Sequence, residues 1–286
     1  MFKTTKLLNK MENKVININS IFRNNNLYPK STNFKLELNE TIKNIGYMRI
    51  SSLEIPDVNY NFSDYRNNNS FTITTGGVNV DTINIGNGNF TSDIIVNTIQ
   101  DLLDDINTAR GTSLAFTIDV VSGKFNFTNT TDITVNFSRT GNTDYKGINY
   151  YFGFKDEVYT GTNILGDSVL NLNPISYFFL RLNNIDNIMD FKVNNAFMKV
   201  LTNVDKFNYI FLGKDDFNSK DKVFRSPIDL STIEVQLVDY LGNELEFNEF
   251  DFSFTLEIGY IYDKKLYEEI NNKGIPNGDT RNKFYY

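Results

Sequence analysis

Phe252-Ser253-Phe254-Thr255-Leu256-Glu257-Ile258 carries an apolar side chain at every second position. That period of two puts one face of a strand in a core and the other in water. Upstream, Ile233-Glu234-Val235-Gln236-Leu237-Val238-Asp239 does the same, and the turn Leu241-Gly242-Asn243 follows it. Further back the pattern recurs in Val169–Leu172, Tyr177–Leu182, Phe197–Leu201 and Phe207–Leu212. On the N-terminal side it appears in Val15–Asn19, in Phe34–Leu38 and across Gly46–Pro56, which Pro56 stops. Many short alternating strands separated by polar turns predict a mainly β chain folded as a sandwich or barrel.

Residues 70–154 read differently. Phe71–Thr74 and Val80–Ile85 form a hairpin around Gly76-Gly77. Thr91 or Ser92 then caps a helix near residues 92–107, with Asp93 in its first turn. Ile95, Ile99, Leu102, Leu103 and Ile106 fall at helical spacing, while Asp101, Asp104 and Asp105 take the other faces. A second hairpin, Phe116–Val120 with Lys124–Thr128, turns at Ser122-Gly123, and Ile133, Val135 and Phe137 continue the period of two. One helix on a small sheet makes this an inserted α+β unit. The expected organisation is a polar arm at 1–14, a β-sandwich at 15–69 and 155–262, the unit at 70–154, and a polar tail at 263–286.

Composition narrows the function. The 286 residues contain no cysteine and no histidine. Disulfides, thiolate metal sites, Ser-His-Asp triads and His-based zinc sites are excluded within one chain. The net charge of −7 opposes binding to nucleic-acid phosphate, and no dense basic cluster offsets it. No apolar run approaches the ~18–20 residues of a membrane span. Met1–Lys14 has four lysines and no apolar core of signal-peptide length, so a cytosolic site of synthesis is expected. Heavy use of Asn, Lys, Ile, Phe and Tyr, with runs such as Asn24–Asn26 and Asn67–Asn69, is what an AT-rich gene encodes.

Candidate sites are few. Gly86-Asn87-Gly88 follows a strand and opens a helix, but Thr91 stands where a dinucleotide loop needs its third glycine or alanine. A tight turn feeding the helix cap is the better reading. Asp104-Asp105 and the loop with Asp215, Asp216, Asn218 and Asp221 offer carboxylates to a hard cation. An EF-hand would add a central glycine and a distal glutamate, and both are missing. Solvated acidic surface is expected at both, with no catalytic residue, metal or cofactor. The aromatic sets Tyr150-Tyr151-Phe152 and Tyr177-Phe178-Phe179 read mainly as core. Phe284-Tyr285-Tyr286, ending a tail with Gly274, Pro276 and Gly278, is the candidate for docking on a partner.

Several segments, in order, resemble the minor capsid or penton-type virion proteins of nucleocytoplasmic large and giant DNA viruses and their virophages. They are Ser20-Ile21-Phe22-Arg23-Asn24, Ile50-Ser51-Ser52-Leu53-Glu54-Ile55-Pro56, Asn69–Ile73, Gly88–Thr91, Phe152-Gly153-Phe154, Ser226–Leu230, Leu241–Asn243 and Asp251–Ile258. The resemblance implies a jelly-roll-like β-sandwich core with an inserted α+β unit and a non-enzymatic role in a capsid. It also implies assembly in host cytoplasm and contacts with other capsid proteins, the major capsid protein and copies of itself among them. Two other functions fit a β-sandwich. One is a receptor- or carbohydrate-binding module, disfavoured by the absence of Trp. The other is a glycosidase, which needs two carboxylates facing each other across a cleft.

Overall fold

The computed structural model describes residues 11–141, 143–172, 175–213 and 221–261. One strand organises the first sheet. β2, Asn33–Pro56, is 24 residues long and serves three antiparallel partners. β12 (Ser253–Ile261) pairs with it from Ile45 to Glu54, β11 (Lys222–Val238) from Asn33 to Met48, and β10 (Tyr209–Gly213) from Ser52 to Pro56. β1 (Met11–Asn19) adds to β12, β8 (Tyr177–Leu182) to β11, and β9 (Met198–Leu201) to β8.

A sheet this long buries its face by bending. The β2–β11 register shifts around Ile228, Leu230 and Thr232, where bulges increase twist and kink the strands. Asn44, at φ 57, sits at the bend and its backbone N–H bonds Asp229 Oδ1 at 2.9 Å. Both halves then share one core, with Phe34 and Val235 packed in the same cluster as Ile50, Leu180 and Phe254. This is the mainly β, jelly-roll-like sandwich expected from the sequence.

Three strand boundaries differ from the sequence reading. Residues 34–38 and 46–56 belong to a single strand, because the polar stretch between them keeps its pairing through the bulges. β1 begins by Met11 rather than Val15, so Met11–Lys14 lie in the sheet. β11 runs through Pro227, whose missing N–H falls where the register is already interrupted.

The second sheet has β3 (Ser70–Thr75), β4 (Asn79–Asn84), β5 (Ala115–Asp119), β6 (Lys124–Asn136) and β7 (Val158–Leu165). Its order is β4-β3-β6-β5, with β7 also on β6. The hairpin turns through Gly76 and Gly77 at φ 59 and 75, the left-handed region where glycine is unstrained. Helix α1, Ser92–Arg110, covers one face. Thr91 caps it by accepting from Ile94 N, and Gly111 at φ 67 ends it. Ile95, Ile99 and Leu103 are fully buried, flanked by the partly buried Leu102 and Ile106.

β7 extends this sheet past residue 154, and only its Ile164 is fully buried, so it has no apolar period to read. A short helix, α2 (Ile148–Phe152), buries Tyr151 and Phe152 in the same core. Val169–Leu172, expected as a strand, is irregular. Leu170 N bonds Gly123 O and Asn171 N bonds Tyr151 O, lacing the segment to two different elements instead of one ladder. No helix among the described residues is long and apolar enough to cross a membrane.

Candidate interaction surfaces

Among the described residues, the carboxylates singled out in the sequence lie on separate surfaces. Asp104 accepts from Gln100 Nε2 at 2.7 Å, a bond along the exposed face of α1, and Asp105 is exposed beside it. Asp215, Asp216 and Asn218 lie outside the described residues, while Asp221 is 3.8 Å from Arg49 Nη1. Among the described residues no group of three or more His, Cys, Asp or Glu side chains is arranged to hold a metal ion. The Gly86-Asn87-Gly88 turn holds the chain to itself. Asn87 Oδ1 accepts from Asp64 N at 2.8 Å, and Gly88 exchanges backbone bonds with Phe62. Phe284, Tyr285 and Tyr286 also lie outside the described residues.

Residues 57–69 join the two sheets and are buried yet polar. Asn68 Oδ1 accepts from Ser63 N at 2.9 Å and its amide donates to Asn61 O at 2.8 Å. Asn61 donates to Leu172 O at 2.7 Å. Arg66, almost fully buried, donates to Asn59 Oδ1 at 2.7 Å and lies over the Tyr145 ring at 5.2 Å. Tyr145 bonds Glu244 O at 2.8 Å on the sandwich side, and burial pushes its phenol well up. Asp239, buried nearby, is raised by burial despite backbone bonds from Asn243 and Leu241. Lys206 Nζ closes the joint on Asp57 Oδ1 at 2.8 Å. Buried polar groups need such partners, and this network fixes the joint.

The surface is unusual for apolar side chains held out in solvent by braced backbone. At the tip of β5–β6, Asp119 Oδ1 accepts from Val121 N and Ser122 N, and Val120 and Val121 are over 90% exposed, at 92% and 95%. In the β8–β9 connection Asp190 does the same for Lys192 N and Val193 N, leaving Met189 and Phe191 fully exposed. The backbone bonds to each aspartate hold its carboxyl below the usual range. In the turn after β1, Arg23 reaches Ser20 O, Tyr28 O and Asp251, and Ile21, Phe22 and Leu27 point outward.

β10 offers the fourth such surface. Phe207, Tyr209 and Phe211 are all exposed, and the Tyr209 and Phe211 rings stack at 5.9 Å. Phe207 lies at φ 70, a strained conformation for a bulky residue, with its N–H on Asp57 O. The sequence pattern places Phe207–Leu212 in a strand. Their exposure was not readable, because an apolar alternation looks the same whichever face meets water.

No protein-family model matches the chain, and no curated protein matches it. Among solved structures the mavirus penton protein is similar, with a TM-score of 0.47 and 12% sequence identity. The alignment covers 87% of this chain and 100% of that chain.

Proposed function

We propose that the chain is a non-enzymatic structural component of a viral capsid, a minor capsid or penton-type protein that works through contacts with other capsid proteins. The observation that carries the assembly part is the set of large apolar side chains displayed on braced turns and on β10. A fold gains nothing from holding Phe191 or Phe211 in water, whereas a partner's pocket gains an anchor already fixed in place. The capsid part draws on the ordered segments from Ser20-Ile21-Phe22 to Asp251–Ile258 that resemble virion proteins. In this reading the protein resides in the virion after assembly in host cytoplasm, beside the major capsid protein and further copies of itself.

The tail belongs to the same reading. Phe284-Tyr285-Tyr286 ends a polar segment with Gly274, Pro276 and Gly278, a composition suited to docking on a neighbour. Deleting Ile275–Tyr286 tests it. The truncated protein should keep its melting temperature and be lost from gradient-purified particles, as read by immunoblot against the major shell protein. Melting that falls while incorporation persists would place the tail in its own fold and end this reading of it.

A further inference from the structure

β7 is an edge strand of the second sheet. Its eight residues, Val158-Tyr159-Thr160-Gly161-Thr162-Asn163-Ile164-Leu165, include no charge and no proline. Among the described residues it pairs only with β6, along one of its two edges. Its flanks turn inward rather than along the other edge. Lys155 N and Asp156 N bond the Tyr159 hydroxyl, Gly166 N bonds Phe125 O and Ser168 N bonds Gly153 O. Exposed edges invite a further strand, and proteins usually guard them with charge. The guard is visible elsewhere. β1 carries Lys14 paired with Glu40, β4 carries Asp81 paired with Arg110, and β9 sets Lys199 over the Tyr177 ring. Around β7 the charged residues Lys155, Asp156, Glu157 and Asp167 all lie beyond the two ends of the strand.

We infer that β7 pairs antiparallel with β7 of a second copy of this chain, about a two-fold axis between Gly161 and Thr162, joining the two five-stranded sheets into one. The inference rests on the reading above, in which copies of the chain meet, and names the surface where they do.

The strand matches itself about that point. Tyr159 and Ile164 both pack in the ring core, so Val158 and Thr160 before the axis, and Asn163 and Leu165 after it, share the outer face and are exposed. The backbone has the same symmetry. Glu157 O accepts from Phe137 N at one end and Gly166 N donates to Phe125 O at the other, so residues 157 and 166 point toward β6. Alternate residues of an antiparallel strand bond to opposite sides. Val158 and Thr160, and likewise Leu165 and Asn163, therefore turn their N–H and C=O groups to the open edge. The alternation changes where the β6 register shifts between Thr128 and Ile133. Two copies related by the axis set Val158 against Leu165 and Thr160 against Asn163, with up to about eight backbone hydrogen bonds. Apolar then meets apolar, polar meets polar, and no like charges oppose each other within the strand. A surface complementary to itself is what a two-fold contact between identical chains requires.

The absence of cysteine makes full-length chains ready for disulfide trapping. One copy carries Val158→Cys and a differently tagged copy carries Leu165→Cys, which the axis brings to about 5.5 Å between Cα atoms, within disulfide reach. Val158→Cys with Asn163→Cys is two residues out of register, beyond about 7 Å, and is the control. Mixed dimer under mild oxidation should exceed the control at least about tenfold, because pairing raises the local thiol concentration. Adding Thr160→Pro to both copies removes an N–H that points to the partner and not to β6. The melting temperature should then hold while mixed dimer falls to the control level. Equal yields for the two cysteine pairs, no mixed dimer, or trapping undiminished by the proline overturn the inference. If trapping fails while the parent chain enters purified particles, the β7 contact is wrong and the capsid reading stands. If trapping succeeds with a chain that particles exclude, the capsid reading falls and the β7 contact stands.

Discussion

The two sheets bury their inner faces by different means. The sandwich bends: β2 and β11, 24 and 17 residues long, pass through bulges so that one sheet closes on itself. The five-stranded sheet, with strands of five to thirteen residues, is instead covered by α1. One helix supplies few side chains across such a face, and large rings make up the volume. Phe116 lies within 6 Å of three other rings, Phe125 at 4.7 Å, Phe127 at 4.5 Å and Phe152 at 5.8 Å. Phe71 adds contacts to Phe127, Phe137 and Phe152. Covering a sheet with one helix leaves a core filled by packed rings, while bending spreads the core along two long strands.

The largest expected effect lies where the helix meets those rings. Ile99 is fully buried on α1, facing the ring cluster. Ile99→Asp places an unpaired charge there and should cost about 4 kcal/mol or more. Calorimetry should show loss of the cooperative melting of this unit. A variant that melts like the parent would mean that α1 does not cover the sheet by this face.

The same contrast explains what the sequence could tell. The helix was legible because Thr91, Asp93, Ile95, Ile99 and Leu103 combine cap, dipole and period within thirteen residues. Short flat strands such as Phe116–Asp119 were legible for a similar reason. Bulged strands were not, since each bulge shifts the period of two and makes Asn33–Pro56 read as two strands with a polar gap. β1 reaches further than its apolar alternation because Glu12 and Asn13 are both polar, and on opposite faces of the strand the Tyr260 and Tyr47 hydroxyls donate to them. In the sequence the asparagine runs carry only a compositional signal. Asn68 and Asn69 turn out to be buried, hydrogen-bonded parts of the joint between sheets, and a run of identical amides gives no sign of that. The docking candidates divide likewise. An aromatic trio on a polar tail stands out by contrast, whereas Phe207, Tyr209 and Phe211 are hidden inside an ordinary strand pattern.

A middle-sized effect compares one glycine from each region. At Gly153, φ is 81 and an added Cβ would collide with the backbone carbonyl of Ser168. Backbone cannot move aside without disturbing α2 and the segment after β7, so Gly153→Ala should cost about 2–3 kcal/mol. At Gly259 in β12 the collision is with the Tyr47 ring, a side chain that can rotate. Gly259→Ala should therefore cost roughly 1 kcal/mol, about the worth of the hydrogen bonds that the ring gives up. Urea titrations of the two variants check the order. A larger loss at Gly259 would show that the outer face of the sandwich is as rigid as the ring core.

The smallest effect belongs to Tyr47 itself and appears only in alkali. Its phenol oxygen lies 2.8 Å from Glu257 Oε1 and 3.0 Å from Asn13 Oδ1 on the outer face of the sandwich. Partial burial, and then the neighbouring Glu257 carboxylate, push its pKa from 10.0 up to about 12. The folded state thus holds this proton more tightly than the unfolded chain does. The resulting stability is fully present below pH 10 and is lost as pH rises through about 12. Tyr47→Phe removes the group, so near pH 8 the variant should be weaker by about 0.5–1 kcal/mol, the worth of an ordinary hydrogen bond. The gap should then close between pH 10 and 12, because the parent loses its advantage while the variant has none to lose. Tyr240, also raised to about 12 by burial, remains in both proteins, so each still weakens in alkali. What distinguishes them is the difference between their urea midpoints at pH 8, 10 and 11.5. A difference that stays constant across that range would show that the Tyr47 proton is held no more tightly in the fold than outside it.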